Sequence, residues 1–130
     1  MFLRWKSRPL QGGNVMLRAA LVVCERRDGA PRQRVIAYVG NIRKHDLRHT
    51  GCRLGFWGAL ERAVGTDDRP GTLGTFSPER RARFAAAVQK VVPYPTPREE
   101  AAYRKEQDRA IRKAQALHEA RMASQTHDQE

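Results

Sequence analysis

The stretch from Val15 to Gly40, VMLRAALVVCERRDGAPRQRVIAYVG, decides the fold. Its first part, Val15 to Glu25, centres on Leu21, Val22 and Val23, and that β-branched density predicts a strand, central in its sheet. Arg26-Arg27-Asp28-Gly29-Ala30-Pro31 breaks the run, and Asp-Gly between two apolar segments signals a hairpin, here with a loop longer than two residues. Arg32 to Val39 reads as the returning strand, closed by Gly40. Simple alternation places Val35, Ala37 and Val39 on one face and Arg32, Arg34, Ile36 and Tyr38 on the other.

Working outward, residues 1–8 alternate in the same way: Leu3 and Trp5 fall on one side, Arg4, Lys6 and Arg8 on the other. Pro9 and Gly12-Gly13-Asn14 then form a turn. The expectation is a three-stranded antiparallel meander with one apolar and one Arg-rich face. Downstream the period changes. Leu54 to Val64 carries Phe56, Trp57, Leu60 and Val64 at helical spacing, with Gly65 suited to the position after the helix. Thr66 to Phe76 reads as a loop. Ser77-Pro78-Glu79 combines a capping hydroxyl, a first-turn proline and a first-turn acid, so a second helix starts there and presents Phe84, Val88 and Val91. Pro93, Pro95 and Pro97 enforce an extended link. A long helix follows from Arg98 to about 123, with a thin stripe of Tyr103, Ala110, Ile111, Ala114 and Leu117, and residues 124–130 are expected to fray. The fold class is therefore α+β: a basic domain over residues 1–92, a Pro-rich link over 93–97, an exposed helix over 98–123 and a disordered tail. The two packing helices should cover the Leu3/Trp5/Val35/Val39 face, because so small a sheet does not stand alone.

Composition narrows the function. The chain has 130 residues, 25 Lys+Arg against 14 Asp+Glu, and a formal net charge of +11. Residues 1–64 hold 13 of those cations against 4 acids, while residues 65–130 hold 12 against 10, so the basic footprint belongs to the first half. Twenty of the cations are Arg, whose planar fork matches phosphate better than an ammonium does. A small basic chain with no membrane-length apolar run and no secretory leader points to a cytoplasmic protein with a polyanionic partner. The candidate nucleic-acid contacts are Arg4, Lys6, Arg8, Arg32, Arg34, Tyr38, Arg43, Lys44 and Arg48, with DNA favoured over RNA. Tyr38 either packs under a helix or stacks on a base or sugar.

Glu25 to Gly40, together with Met1-Phe2-Leu3-Arg4, resembles the N-terminal β-hairpin module of bacterial insertion-sequence transposases. That module opens with a Met-aromatic-hydrophobic-Arg strand and runs through Gly-Lys-Pro-Arg-Gln-Arg into Leu-Gly. Ala30 replaces the usual Lys here. A set of small stand-alone proteins shares the pattern over nearly all of residues 1–97, including Phe56-Trp57, Ser77-Pro78-Glu79-Arg80 and the prolines from Pro93. The resemblance implies a DNA-handling module of mobile-element type. It does not carry over catalysis, because such transposases need a large ribonuclease-H-like domain with three metal-binding carboxylates.

Other chemistry fits less well. His45-Asp46-Leu47-Arg48-His49-Thr50-Gly51 resembles the box of tyrosine recombinases that holds a catalytic Arg and His, residues suited to a phosphoryl-transfer transition state. The remaining parts of that site have no counterpart, and Tyr94, the nearest later Tyr, sits between prolines. A recombinase remnant is thus the third reading. His45, His49 and Cys52 fall at H-x3-H-x2-C with Cys24 upstream, a set zinc would accept, but the usual Cys-x2-Cys knuckle is missing and Cys24 reads as a small buried hydrophobe. Gly12-Gly13 and Gly71 to Gly74 lack the Lys-Ser/Thr of a phosphate loop, and Asp67-Asp68 reads as a turn feature. The sequence therefore predicts a non-catalytic binding protein with no metal and no cofactor. The alternative is a protein partner, or self-association, through residues 98–123.

Overall fold

The structure is a computed structural model that describes residues 1–65, 69–71 and 73–128. Asp67 and Asp68 lie outside the described residues. Three strands come first: β1 (Phe2–Pro9), β2 (Val15–Arg27) and β3 (Ala30–Arg43). A short 3-10 turn over Lys44–Arg48 leads into α1 (Thr50–Val64), followed by α2 (Pro78–Gln89) and α3 (Pro97–Asp128). The strands form one antiparallel sheet in the order β1-β2-β3, so the fold is α+β with a long C-terminal helix. The chain divides into two compact units, Met1–Pro95 and Thr96–Glu130.

The hairpin is tighter than its sequence suggests. Arg27 pairs with Ala30, so the turn holds only Asp28 and Gly29. Both have positive φ, 52° and 77°, which is the two-residue turn whose twist matches a hairpin. Gly tolerates this backbone freely and Asp is among the few other residues that do. The expected long loop is thereby corrected, and each strand runs further into the turn. Gly40 does not close β3. It sits opposite Ala19 inside the strand, and a Cβ there would stand 2.8 Å from Phe56 Cε2. The glycine is a gap for a ring rather than a stop.

Two irregularities interrupt the β2–β3 register. Ala19 pairs with Gly40 and Ala20 with Tyr38, so Val39 is an extra residue; Leu21 pairs with Ala37 and Val22 with Val35, so Ile36 is another. Each bulge reverses which face the following residues of β3 take. Val35 accordingly stands beside Val22 on the face opposite Leu21, which corrects its assignment to the apolar side.

The core lies on the other face. Ala19 and Leu21 from β2 and Val39 and Ile42 from β3 pack with Phe56, Trp57, Leu60 and Val64 of α1 and Phe84 and Val88 of α2, joined by Phe76 and Val92. Leu3 and Trp5 of β1 lean on the cluster, and the Trp5 ring stacks on Phe56 at 5.6 Å between centroids. Trp57 Nε1 donates to the Val92 carbonyl at 3.0 Å, so its polar edge is satisfied while its ring is buried. The helix ends follow from local chemistry. The Gly65 N–H donates to the Glu61 carbonyl with φ +48°, and Ser77 Oγ accepts from the Arg80 N–H at 3.2 Å. α1 begins at Thr50, four residues earlier than its apolar spacing indicates.

α3 carries a reciprocal cap. Thr96 Oγ1 accepts from the Glu99 N–H, and Glu99 Oε1 accepts from the Thr96 N–H, both at 3.2 Å. It runs to Asp128, past the boundary at 123, and residues 129 and 130 lie outside the described residues. Thr126 Oγ1 donates back to the Met122 carbonyl at 2.8 Å within this last stretch. Among the described residues, no helix is long and apolar enough to cross a membrane.

Candidate nucleic-acid interface

The pairing register assigns each strand residue to a face. Four rows cross the sheet on the face away from α1 and α2: Arg8–Met16–Arg43, Lys6–Arg18–Asn41, Arg4–Ala20–Tyr38 and Phe2–Val22–Val35. Rows of this kind repeat about every 7 Å along the strands, with strands roughly 4.8 Å apart. Arg4, Arg8 and Arg43 are exposed, and Lys6 and Arg18 are half-buried. Among the described strand residues on this face, none is acidic.

The centre of this face is nevertheless dry. Ala20 and Val22 are 0% and 1% exposed, yet neither belongs to the core cluster beneath α1 and α2. Their neighbours in the rows are Arg4, Tyr38, Phe2 and Val35. Arg4 Nη1 donates to Gln33 Oε1, and the Arg18 guanidinium lies 3.8 Å from the Tyr38 ring centroid, a cation–π contact. The heads of Arg4 and Arg18 are thus engaged across the face, on Gln33 and Tyr38, beside the buried Ala20 and Val22. Tyr38 keeps 45% of its surface exposed and Phe2 39%.

The sequence-predicted residues separate into three sets. Arg4, Lys6, Arg8, Tyr38 and Arg43 come together on the open face, and Lys44 follows Arg43 directly as an exposed cation in the 3-10 turn. Arg32 and Arg34 do not join them. They pair with Glu25 and Val23, on the face of Leu21, so the expectation that Tyr38 shares their face is corrected, the extra residue at Ile36 having inverted the alternation. Arg34 Nε and Nη2 each lie 2.8 Å from Glu25 Oε1. This pair is largely exposed and is worth at most about 1 kcal/mol. Arg48 is engaged locally, its Nη2 2.8 Å from His45 Nδ1.

Arg18 was absent from the sequence-predicted set. Its signal is the alternation of Met16, Arg18 and Ala20 against Leu17, Ala19 and Leu21, which places it beside Lys6. Arg53 was also missed. It is 6% exposed and donates from Nη1 to the Pro93 carbonyl at 3.2 Å, tying α1 to the segment after α2. No apolar spacing announces a buried Arg, a residue type rarely inside unless paired.

The other candidate chemistries find these settings. The His45 and His49 rings stand 6.1 Å apart, edge to face. Tyr94 packs edge-on against Trp57 at 5.5 Å. Cys24 and Cys52 are exposed free thiols, so Cys24 is not the buried hydrophobe its strand context suggests; it lies beyond the end of β1, where the sheet is uncovered. Among the described residues, no group of three or more His, Cys, Asp or Glu side chains is placed to hold a metal ion. Comparison of the chain with protein-family models, curated proteins and solved structures returns no match.

Proposed function

We propose that this is a non-catalytic nucleic-acid-binding protein, of the kind found as N-terminal modules of mobile-element transposases, that grips phosphates with the open face of its sheet. The observation that carries the reading is the arrangement of Arg4, Lys6, Arg8, Arg18 and Arg43 on one face without an acidic neighbour in the strands. Such a surface gains affinity from counterion release when it neutralises phosphates, and it gives little sequence preference by itself. Tyr38 and Phe2 add exposed ring surface to the same face.

The test is a binding titration against a 20-bp DNA duplex at several salt concentrations. The wild-type affinity should fall steeply with salt. Arg4→Ala/Arg8→Ala should bind more weakly, with a slope shallower by about 0.9 per lost phosphate contact. Equal binding and equal slopes for the two chains would remove the open face from the interface.

A second reading concerns α3 alone. Ile111, Leu117 and Met122 each expose more than half of their surface, a large apolar display for a helix of 32 residues. This favours self-association through residues 98–123. A chain ending at Pro95 should then elute as a smaller species than the full chain by more than its lost mass, and a mass-proportional change would contradict it.

A further inference from the structure

β1 does not accompany the hairpin to its tip. The last β1–β2 pair is Phe2 with Val22, whereas β2 and β3 continue for five more pairs, from Val23–Arg34 to Arg27–Ala30. The overhang is a two-stranded ribbon about 16 Å long. None of its residues from 24 to 34 is buried, and none belongs to the core cluster. A bare ribbon of this kind contributes little to the stability of the fold. Its composition is distinctive: Arg26, Arg27, Arg32 and Arg34 against Glu25 and Asp28, with Gln33 between two of the arginines. By register, Arg26 and Gln33 stand on the face continuous with Arg4 and Tyr38, and Arg27, Arg32 and Arg34 stand on the reverse.

From this we infer that the ribbon enters the major groove of B-form DNA while the open face of the sheet holds the flanking phosphates; the inference rests on the nucleic-acid reading above. The dimensions match, since the major groove is about 12 Å wide and admits a two-stranded β-ribbon. The side chains match as well. Arg reads the O6 and N7 edge of guanine, and Gln reads the N6 and N7 edge of adenine. Arginines on both faces let one face meet base edges while the other meets groove-wall phosphates. The same geometry selects DNA over duplex RNA, whose major groove is too deep and narrow for side chains to read. Single strands offer no groove. The ribbon also gives Arg32 a role that the open face of the sheet denies it.

The test compares the full chain with two variants. One replaces residues 24–33 by Asn-Gly, which keeps the Val23–Arg34 pair, of the same hydrogen-bonded kind as Arg27–Ala30, and closes the hairpin with a two-residue turn. The other, Arg26→Ala/Arg32→Ala, leaves the backbone intact, so a folding failure of the first cannot obscure the result. Each is titrated against a guanine-rich 20-bp DNA duplex, the matching RNA duplex and a single strand. Methylation of guanine N7 by dimethyl sulfate is then measured on the saturated DNA complex. The wild type should protect N7 and prefer the DNA duplex. Both variants should lose that protection and bind the duplex about tenfold more weakly, while keeping a salt-dependent affinity from the sheet face. Salt-dependent binding by the wild type with N7 unprotected, or equal affinity for both duplexes, overturns the ribbon assignment alone. No binding to any of the three probes overturns the nucleic-acid reading with it.

Discussion

The two faces of the sheet are built from the same three strands and answer to different physics. On the covered face, Ala19, Leu21, Val39 and Ile42 meet Phe56, Trp57 and Leu60, and Trp5 stacks on Phe56. On the open face, Arg4, Lys6, Arg8, Arg18 and Arg43 surround a small dry centre of Ala20 and Val22. The first face keeps its shape by excluding water. The second carries cations, of which Arg4, Arg8 and Arg43 are exposed and Lys6 and Arg18 half-buried. A strand with a period of two can therefore supply a core and a charged surface at once, and the centre of β2 is buried on both sides.

Equilibrium unfolding of single variants sharpens that contrast. Phe56→Ala should cost the most, about 3–5 kcal/mol, because it empties the space between Trp5, Gly40 and α1. Gly40→Ala comes next, at about 1–3 kcal/mol, since the added methyl meets the Phe56 ring, itself pinned by Trp5. Arg8→Ala should change stability by no more than about 0.5 kcal/mol, the range of ordinary exposed positions. A loss at Arg8 as large as that at Gly40 would break the division between the faces.

Much of this division is legible in the chain. Leu3 and Trp5 against Arg4, Lys6 and Arg8 is plain alternation, and β1 takes the expected faces. Phe56, Trp57, Leu60 and Val64 at helical spacing all reach the core, and the Ser77-Pro78 start of α2 lies where its capping chemistry requires. What alternation could not show is the pair of extra residues at Ile36 and Val39. Neither is Gly or Pro, so nothing local marks the bulges, and one of them reverses the faces of Arg32, Arg34 and Val35. Gly40 misled for a related reason: the need for a missing Cβ arises from Phe56, distant in sequence. The two-residue turn at Asp28-Gly29 was visible as a hairpin signal, but Arg26, Arg27 and Pro31 beside it look like loop and are in fact strand. Arg53 and its bond to Pro93 depend wholly on tertiary placement.

In the reading proposed above, the open face and its ribbon, and not α1 and α2, meet nucleic acid. Backbone amide chemical shifts of the full chain, followed while a short DNA duplex is added, test it directly. The largest shifts should fall at Arg4, Lys6, Arg8, Arg18, Tyr38 and Arg43 and along the ribbon from Cys24 to Gln33, with the amides of α1 and α2 nearly still. Shifts concentrated on α1 and α2, or an unperturbed β1 at saturating duplex, would contradict it.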